Sequence, residues 1–157
     1  MKTLLVYYSY TQNTGGIARR VREALGCDVA EIQTVSPYEG DYDSVVEQGR
    51  REVEADFCPD IRPLGVELSG YDRIILGIPV WWYTMAPAMR TFLTENGLAG
   101  KTVIPLVTSG GWPGHTVKDV EALCPGARVE KGVSLTFNGT RLATPERELE
   151  NWIQGLK

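Results

Sequence analysis

Cysteine, histidine and positive charge are all scarce in this chain, and each shortage narrows what it can do. Its 157 residues include three cysteines and a single histidine. Cys27, Cys58 and Cys124 stand far apart, with no C-x-x-C pair and no histidine at metal-ligand spacing. That pattern offers neither a disulfide framework nor a zinc site, and free, buried or half-buried thiols are expected. The formal net charge of -4 gives no electrostatic support to binding nucleic acid or an anionic membrane surface. Long apolar runs are missing too. In "MKTLLVYYSYTQN" the polar residues arrive too soon for a signal-peptide core, so a cytoplasmic protein is expected. There is no repeat, low-complexity tract, G-x-S-x-G elbow or G-x-G-x-x-G loop. Gly100-Lys101-Thr102 only resembles the tail of a phosphate loop, because Glu95 stands at the required first glycine and the triplet enters a strand. Asn138-Gly139-Thr140 has the form of a glycosylation site and is better read as a turn.

What is present is an ordinary globular composition, 43% apolar and 23% charged, at a length that favours one domain over 1–157. Apolar runs at 3–8, 28–32, 72–81 and 101–109 read as buried strands, and 127–135 alternates as a fifth, edge strand. Between them lie helical stripes: Ile17, Ala18, Val21, Ala24 and Leu25; Tyr42, Val45, Val46, Gly49 and Val53; Met89, Phe92 and Leu93; Val117, Val120 and Leu123. The last helix carries Leu149, Trp152, Ile153 and Leu156, with Thr144 expected as N-cap and Pro145 at the first helical position. Residues 56–70, with two prolines and two glycines, form a long connection. Such alternation calls for a parallel sheet covered on both faces, a three-layer α/β/α sandwich. Ligands of such sheets bind beyond the carboxyl ends of the strands.

Three loops lie at that edge. After strand one, Ser9, Thr11, Asn13 and Thr14 are small donors around a helix start with no lysine or arginine. A helix N-terminus with converging hydroxyls suits an anion, and neutral donors suit a phosphate monoester better than a nucleoside triphosphate. Plain helix capping is the alternative, though capping needs only one such residue. After strand three, "PVWWYTMAP" cannot send Trp81, Trp82 and Tyr83 all into the core, since successive side chains of a strand face opposite ways. At least one is expected at the mouth of the sheet, where it could stack on a flat ligand, the alternative being packing under the next helix. After strand four, the glycines of "TSGGWPGHT" would let the backbone meet a heterocycle edge, or make a simple turn. A phosphorylated, planar, hydrogen-bonding ring system would fill the three together.

At these residues the chain resembles a flavodoxin. Leu5, Val6, Tyr7, Ser9, Thr14, Ala18 and Val21 fall on the flavodoxin signature, which departs at Gln12, where a small residue is usual. "YDRIILGIPVWW", "MRTFL", "GKTVIPLVTSGG" and "HTVKDV" extend the resemblance over 3–156, toward the branch with a Trp-Trp loop. The resemblance implies a short-chain flavodoxin-like fold with five parallel strands in the order 2-1-3-4-5, bound FMN, and no catalytic or metal-ligating residue. It places Ser9, Tyr10, Thr11, Gln12, Asn13 and Thr14 around the phosphate, and Pro79, Val80, Trp81, Trp82, Tyr83 and Thr84 beside the ribityl chain and ring. Ser109, Gly110, Gly111 and Gly114 follow along the pyrimidine edge. Tyr83 stands where this branch often has glycine. If the turned peptide there needs a positive φ, it is harder to form, and the one-electron-reduced cofactor gains less stabilisation.

The implied function is an electron carrier between a reductase and an acceptor protein, as a monomer or weak dimer. A second reading is an FMN enzyme that takes hydride from NAD(P)H and reduces a quinone. A third, a receiver-like regulatory module, lacks the acidic residues it needs after strands one and three. His115 could serve a helix start, a ligand rim or catalysis; alone it establishes no acid/base chemistry. Asp41, Asp43, Glu47, Glu52 and Glu54 read as the solvated side of a helix or a docking surface.

Overall fold

The structure, a computed structural model, describes residues 2–157. Its core strands are β1 (Thr3–Tyr7), β2 (Asp28–Glu31), β3 (Arg73–Trp81), β5 (Thr102–Ser109) and β7 (Val133–Asn138). They pair in parallel in the order β2-β1-β3-β5-β7, which is the expected 2-1-3-4-5. Three two-residue strands enlarge the sheet to eight: β4 (Thr84–Met85), β6 (Arg128–Val129) and β8 (Arg141–Leu142). The helices are α1 (Asn13–Leu25), α2 (Tyr42–Glu54), α3 (Pro87–Glu95), α4 (Thr116–Ala122) and α5 (Glu146–Leu156).

The period of two in each strand sorts its side chains between the layers. Leu4, Val6, Ile74, Leu76 and Ile78 face Met89, Phe92 and Leu93 of α3 and Val120 of α4. Leu5, Ile75, Ile104, Leu106 and Leu135 face Ile17, Ala18 and Val21 of α1 and Leu149 and Ile153 of α5. Burial of these two faces is the main source of stability.

The fifth strand differs from expectation. The run 127–135 is broken into β6 and β7, and the pairing strand runs on to Asn138. Pro105, in the middle of β5, has no N–H for the edge strand at that point. Its carbonyl oxygen also lies so close to Gly132 that a Cβ there would overlap it, and Gly132 has a φ of 68°, so the chain turns out of the ladder. Thr144 does not cap α5 either. Its hydroxyl accepts the Thr136 N–H at 2.7 Å, and Pro145 stands at the cap position without a side-chain bond.

Candidate functional site

The carboxyl ends of β1, β3, β5 and β7 open onto a cleft of about 580 Å³. Its floor is Pro79, Val80, Thr108, Ser109 and Phe137, and its walls are the loop after β1, the β3–β4 turn, one side of α2 and the β7–β8 turn. No charged side chain lines it among the described residues.

The loop after β1 builds the polar end. Ser9 Oγ accepts the Gly15 N–H at 3.1 Å and the Gln12 carbonyl accepts that of Gly16 at 2.8 Å, so α1 is capped within the chain. Ser9 thereby serves the capping role. Among the described residues the N–H groups of Thr11, Asn13 and Thr14 find no acceptor in the chain, and they stand at the positive end of the α1 dipole. Thr14 Oγ1 and Thr108 Oγ1 share a buried 2.8 Å bond, which uses one hydroxyl proton of two and leaves the other free to donate. Gln12 holds a left-handed conformation, φ 71°, with its side-chain oxygen near Gly15. Its length is therefore accommodated over the helix start and away from the cleft lining.

The aromatic wall divides at the end of β3, where the chain leaves the strand and turns. Trp81 is half-buried among Tyr8, Tyr10 and Tyr38, its ring 6.0, 6.0 and 5.0 Å from theirs, edge-on. Burial pushes the phenols of Tyr8 and Tyr38 upward, and for Tyr38 the bond its hydroxyl donates to Glu52, 2.6 Å, adds to the effect. Trp82 and Tyr83 are 38% and 51% exposed at the mouth. They form the two-residue turn between β3 and β4, with φ values of 50° and 70°. Positive φ at both positions is the type I′ pattern that asparagine and glycine usually serve, so tryptophan and tyrosine there cost about 1–2 kcal/mol each. The positive φ that would make the turn harder to form without glycine is thus present at Tyr83.

The turn is held from outside. The Tyr83 carbonyl accepts the His115 N–H at 2.8 Å, and the backbone of Gly114, φ 61°, presses so close to that carbonyl that a side chain would overlap it. Thr84 is buried and donates its hydroxyl to Asp119, whose same oxygen lies 2.5 Å from His115 Nδ1. The single histidine has a partner after all, i+4 along the chain.

Of the expected residues, Tyr10, Thr11, Asn13, Thr14, Pro79, Val80, Trp81, Trp82, Ser109 and Gly110 come together around the cleft. Ser9, Gln12, Tyr83, Thr84, Gly111 and Gly114 stand outside its lining, capping α1, forming or bracing the turn, or leading out to the exposed Trp112. Residues not anticipated also line it. Tyr42, Val45, Val46 and Gly49 make a wall of α2, where Trp82 Nε1 donates to the Val46 carbonyl at 2.9 Å. Their apolar stripe reads as core in the sequence, yet Tyr42 is 73% exposed. Phe137, Gly139 and Thr140 belong to the far end of the fifth strand, and Asn13 Nδ2 donates to the Gly139 carbonyl at 2.9 Å. The turn expected at Asn138-Gly139-Thr140 does form, between β7 and β8. Cys27 is half-buried and Cys124 buried, as expected, whereas Cys58 is exposed. Among the described residues no helix is long and apolar enough to cross a membrane, and no cluster of three metal-ligating side chains occurs.

No curated protein matches the chain. Among solved structures, a candidate flavoprotein of Bacteroides uniformis ATCC 8492 is 29% identical, with a TM-score of 0.83 and 98% of this chain and 97% of that one covered. A flavoprotein of Lactobacillus acidophilus NCFM in complex with FMN is 22% identical, with a TM-score of 0.73 and coverage of 96% and 97%. A flavodoxin from the domain Archaea, 18% identical, has a TM-score of 0.58 and coverage of 98% and 92%. At those two lower identities the likeness is one of fold alone. The family model described as flavodoxin matches residues 2–156, and the chain therefore belongs to the flavodoxin family.

Proposed function

We propose that the cleft binds FMN and that the chain is a cytoplasmic electron carrier between two redox proteins. The observation that carries this reading is the pairing of an uncharged anion cradle with an aromatic wall in one cleft. The free N–H groups of Thr11, Asn13 and Thr14 and the spare proton of the Thr14–Thr108 pair would hold a phosphate monoester without lysine or metal. Trp82, Val45 and Val46 would exclude water from a flat ring, and the backbone of Ser109 and Gly110 would offer its polar edge hydrogen bonds. FMN, once bound, accepts and releases electrons singly or in pairs. Family membership supports the same cofactor, as does the FMN complex of the Lactobacillus relative. The exposed mouth, with Trp82, Tyr83 and Trp112, is within reach of a partner protein.

The test is the colour of the purified protein, followed by titration of the FMN-free chain with FMN and with riboflavin. A yellow protein that takes up one FMN, and holds riboflavin more weakly for want of the phosphate, is expected. A colourless chain that takes up no added FMN overturns the reading. Rapid bleaching by NADH or NADPH without another protein would favour the quinone-reducing enzyme.

A further inference from the structure

The rim turn raises a question that the cleft alone does not answer. Residues in sparsely populated backbone regions persist where the surroundings over-determine them, and here two such residues are consecutive and neither is glycine. What surrounds them is α4. One carboxylate oxygen of Asp119 receives the Thr84 hydroxyl on the strand leaving the turn and faces His115 Nδ1 at 2.5 Å. The backbone N–H of the same His115 holds the Tyr83 carbonyl at 2.8 Å. Both ends of the brace therefore meet at Asp119. On the other side the turn is joined to α2 through the Trp82 indole and the Val46 carbonyl, 2.9 Å apart. Trp82 is thus tied to α2, while the turn that carries it is tied through Tyr83 and Thr84 to His115 and α4.

We infer that Asp119 is a positioning residue for the cleft: through Thr84 and His115 it holds the Trp82–Tyr83 turn in its strained form and so places the Trp82 wall. This rests on the FMN reading above. A bland alternative is that the same bonds only dock α4 on the sheet. The two differ in outcome, because docking alone would lower stability without altering affinity in chains that remain fully folded.

The experiment measures FMN dissociation constants by flavin fluorescence, with far-ultraviolet circular dichroism to confirm folding, for Asp119→Asn, Thr84→Val, Thr84→Ser, Tyr83→Gly and the double variant Asp119→Asn/Tyr83→Gly. Loss of a charge-assisted bond should weaken FMN binding about tenfold in Asp119→Asn and in Thr84→Val. Thr84→Ser, which restores the hydroxyl, should return within about twofold of the wild type. Tyr83→Gly takes a φ of 70° without strain, so in that background Asp119→Asn should cost only about twofold. An equal cost of Asp119→Asn in both backgrounds, or no rescue by serine, overturns the inference. Should Asp119→Asn fail to fold, the Thr84→Val and Thr84→Ser pair decides the matter. If the wild type takes up no FMN, the flavin reading falls, and the brace is judged by thermal unfolding of the same cycle. Additive effects of Asp119→Asn and Tyr83→Gly there overturn it, and strong coupling upholds the hold on the turn.

Discussion

At the amino edge of the sheet, charged groups are tied off by the chain itself. Lys101 Nζ donates to the Leu68 and Tyr71 carbonyls at 2.9 and 2.6 Å, the Tyr71 hydroxyl donates to Asp28 at 2.7 Å, and Arg73 reaches the Leu156 carbonyl at 3.0 Å. At the carboxyl edge the balance is reversed. Among the described residues no charge lines the cleft, backbone N–H groups are left over, and Gln12, Trp82 and Tyr83 sit at positive φ. A polar group already satisfied inside the fold has little to offer a ligand, whereas a group left over, or held in a strained conformation, has both the capacity and the geometry to bind one. One edge therefore reads as stability and the other as function.

The contrast is sharpest if changes at the two edges separate. Lys101→Met keeps the length of the side chain and removes both charge-assisted bonds, so urea unfolding should show a loss of about 2 kcal/mol while the FMN dissociation constant stays unchanged. A change in FMN affinity there would blur the division. Thr108→Val is the converse. It removes the Thr108 hydroxyl and leaves the Thr14 hydroxyl without the partner that orients it, and should weaken FMN binding about tenfold while costing no more than about 1 kcal/mol of stability. The smallest effect lies at Cys124, buried in the connection between α4 and β6. Burial pushes its thiol up to about 11, above its value of 9.0 in the absence of such burial. The folded chain therefore holds this proton where the unfolded chain releases it, so the contribution is complete below pH 9 and fades toward pH 11. In Cys124→Ala the fall of stability across that window should be shallower by up to one proton, measured by urea unfolding at a series of alkaline pH values.

Much of the fold was legible because it rests on local periodicity. The alternation of Leu4, Leu5 and Val6, and of Ile74, Ile75 and Leu76, announced strands with two buried faces, and each is split between two helical layers as that pattern demands. The fifth strand was misplaced because its break depends on Pro105, a residue of the neighbouring strand about 25 positions earlier. Part of the site was hidden for related reasons. The stripe Tyr42, Val45, Val46 and Gly49 has the spacing of a core face, and nothing local says that the surface it meets is an open cleft. The Asp119 partner of His115 stands one helical turn away and was within reach of the sequence, whereas the Tyr83 carbonyl becomes a neighbour only once α4 is seated beside the turn.

By itself, the sequence determined the kinds of elements, their order and the chemical character of the loops, since hydrophobic period, turn residues and donor side chains act over a few residues. Only the tertiary structure decided which donors remain free. Ser9 caps α1 by accepting the Gly15 N–H and keeps its own proton, the Thr14–Thr108 pair keeps one proton of two, and two residues ill suited to a type I′ turn are held in it by a carboxylate 36 positions beyond Tyr83. Satisfaction of a polar group and tolerance of backbone strain are properties of the whole packed surroundings, and those exist only after the chain has folded.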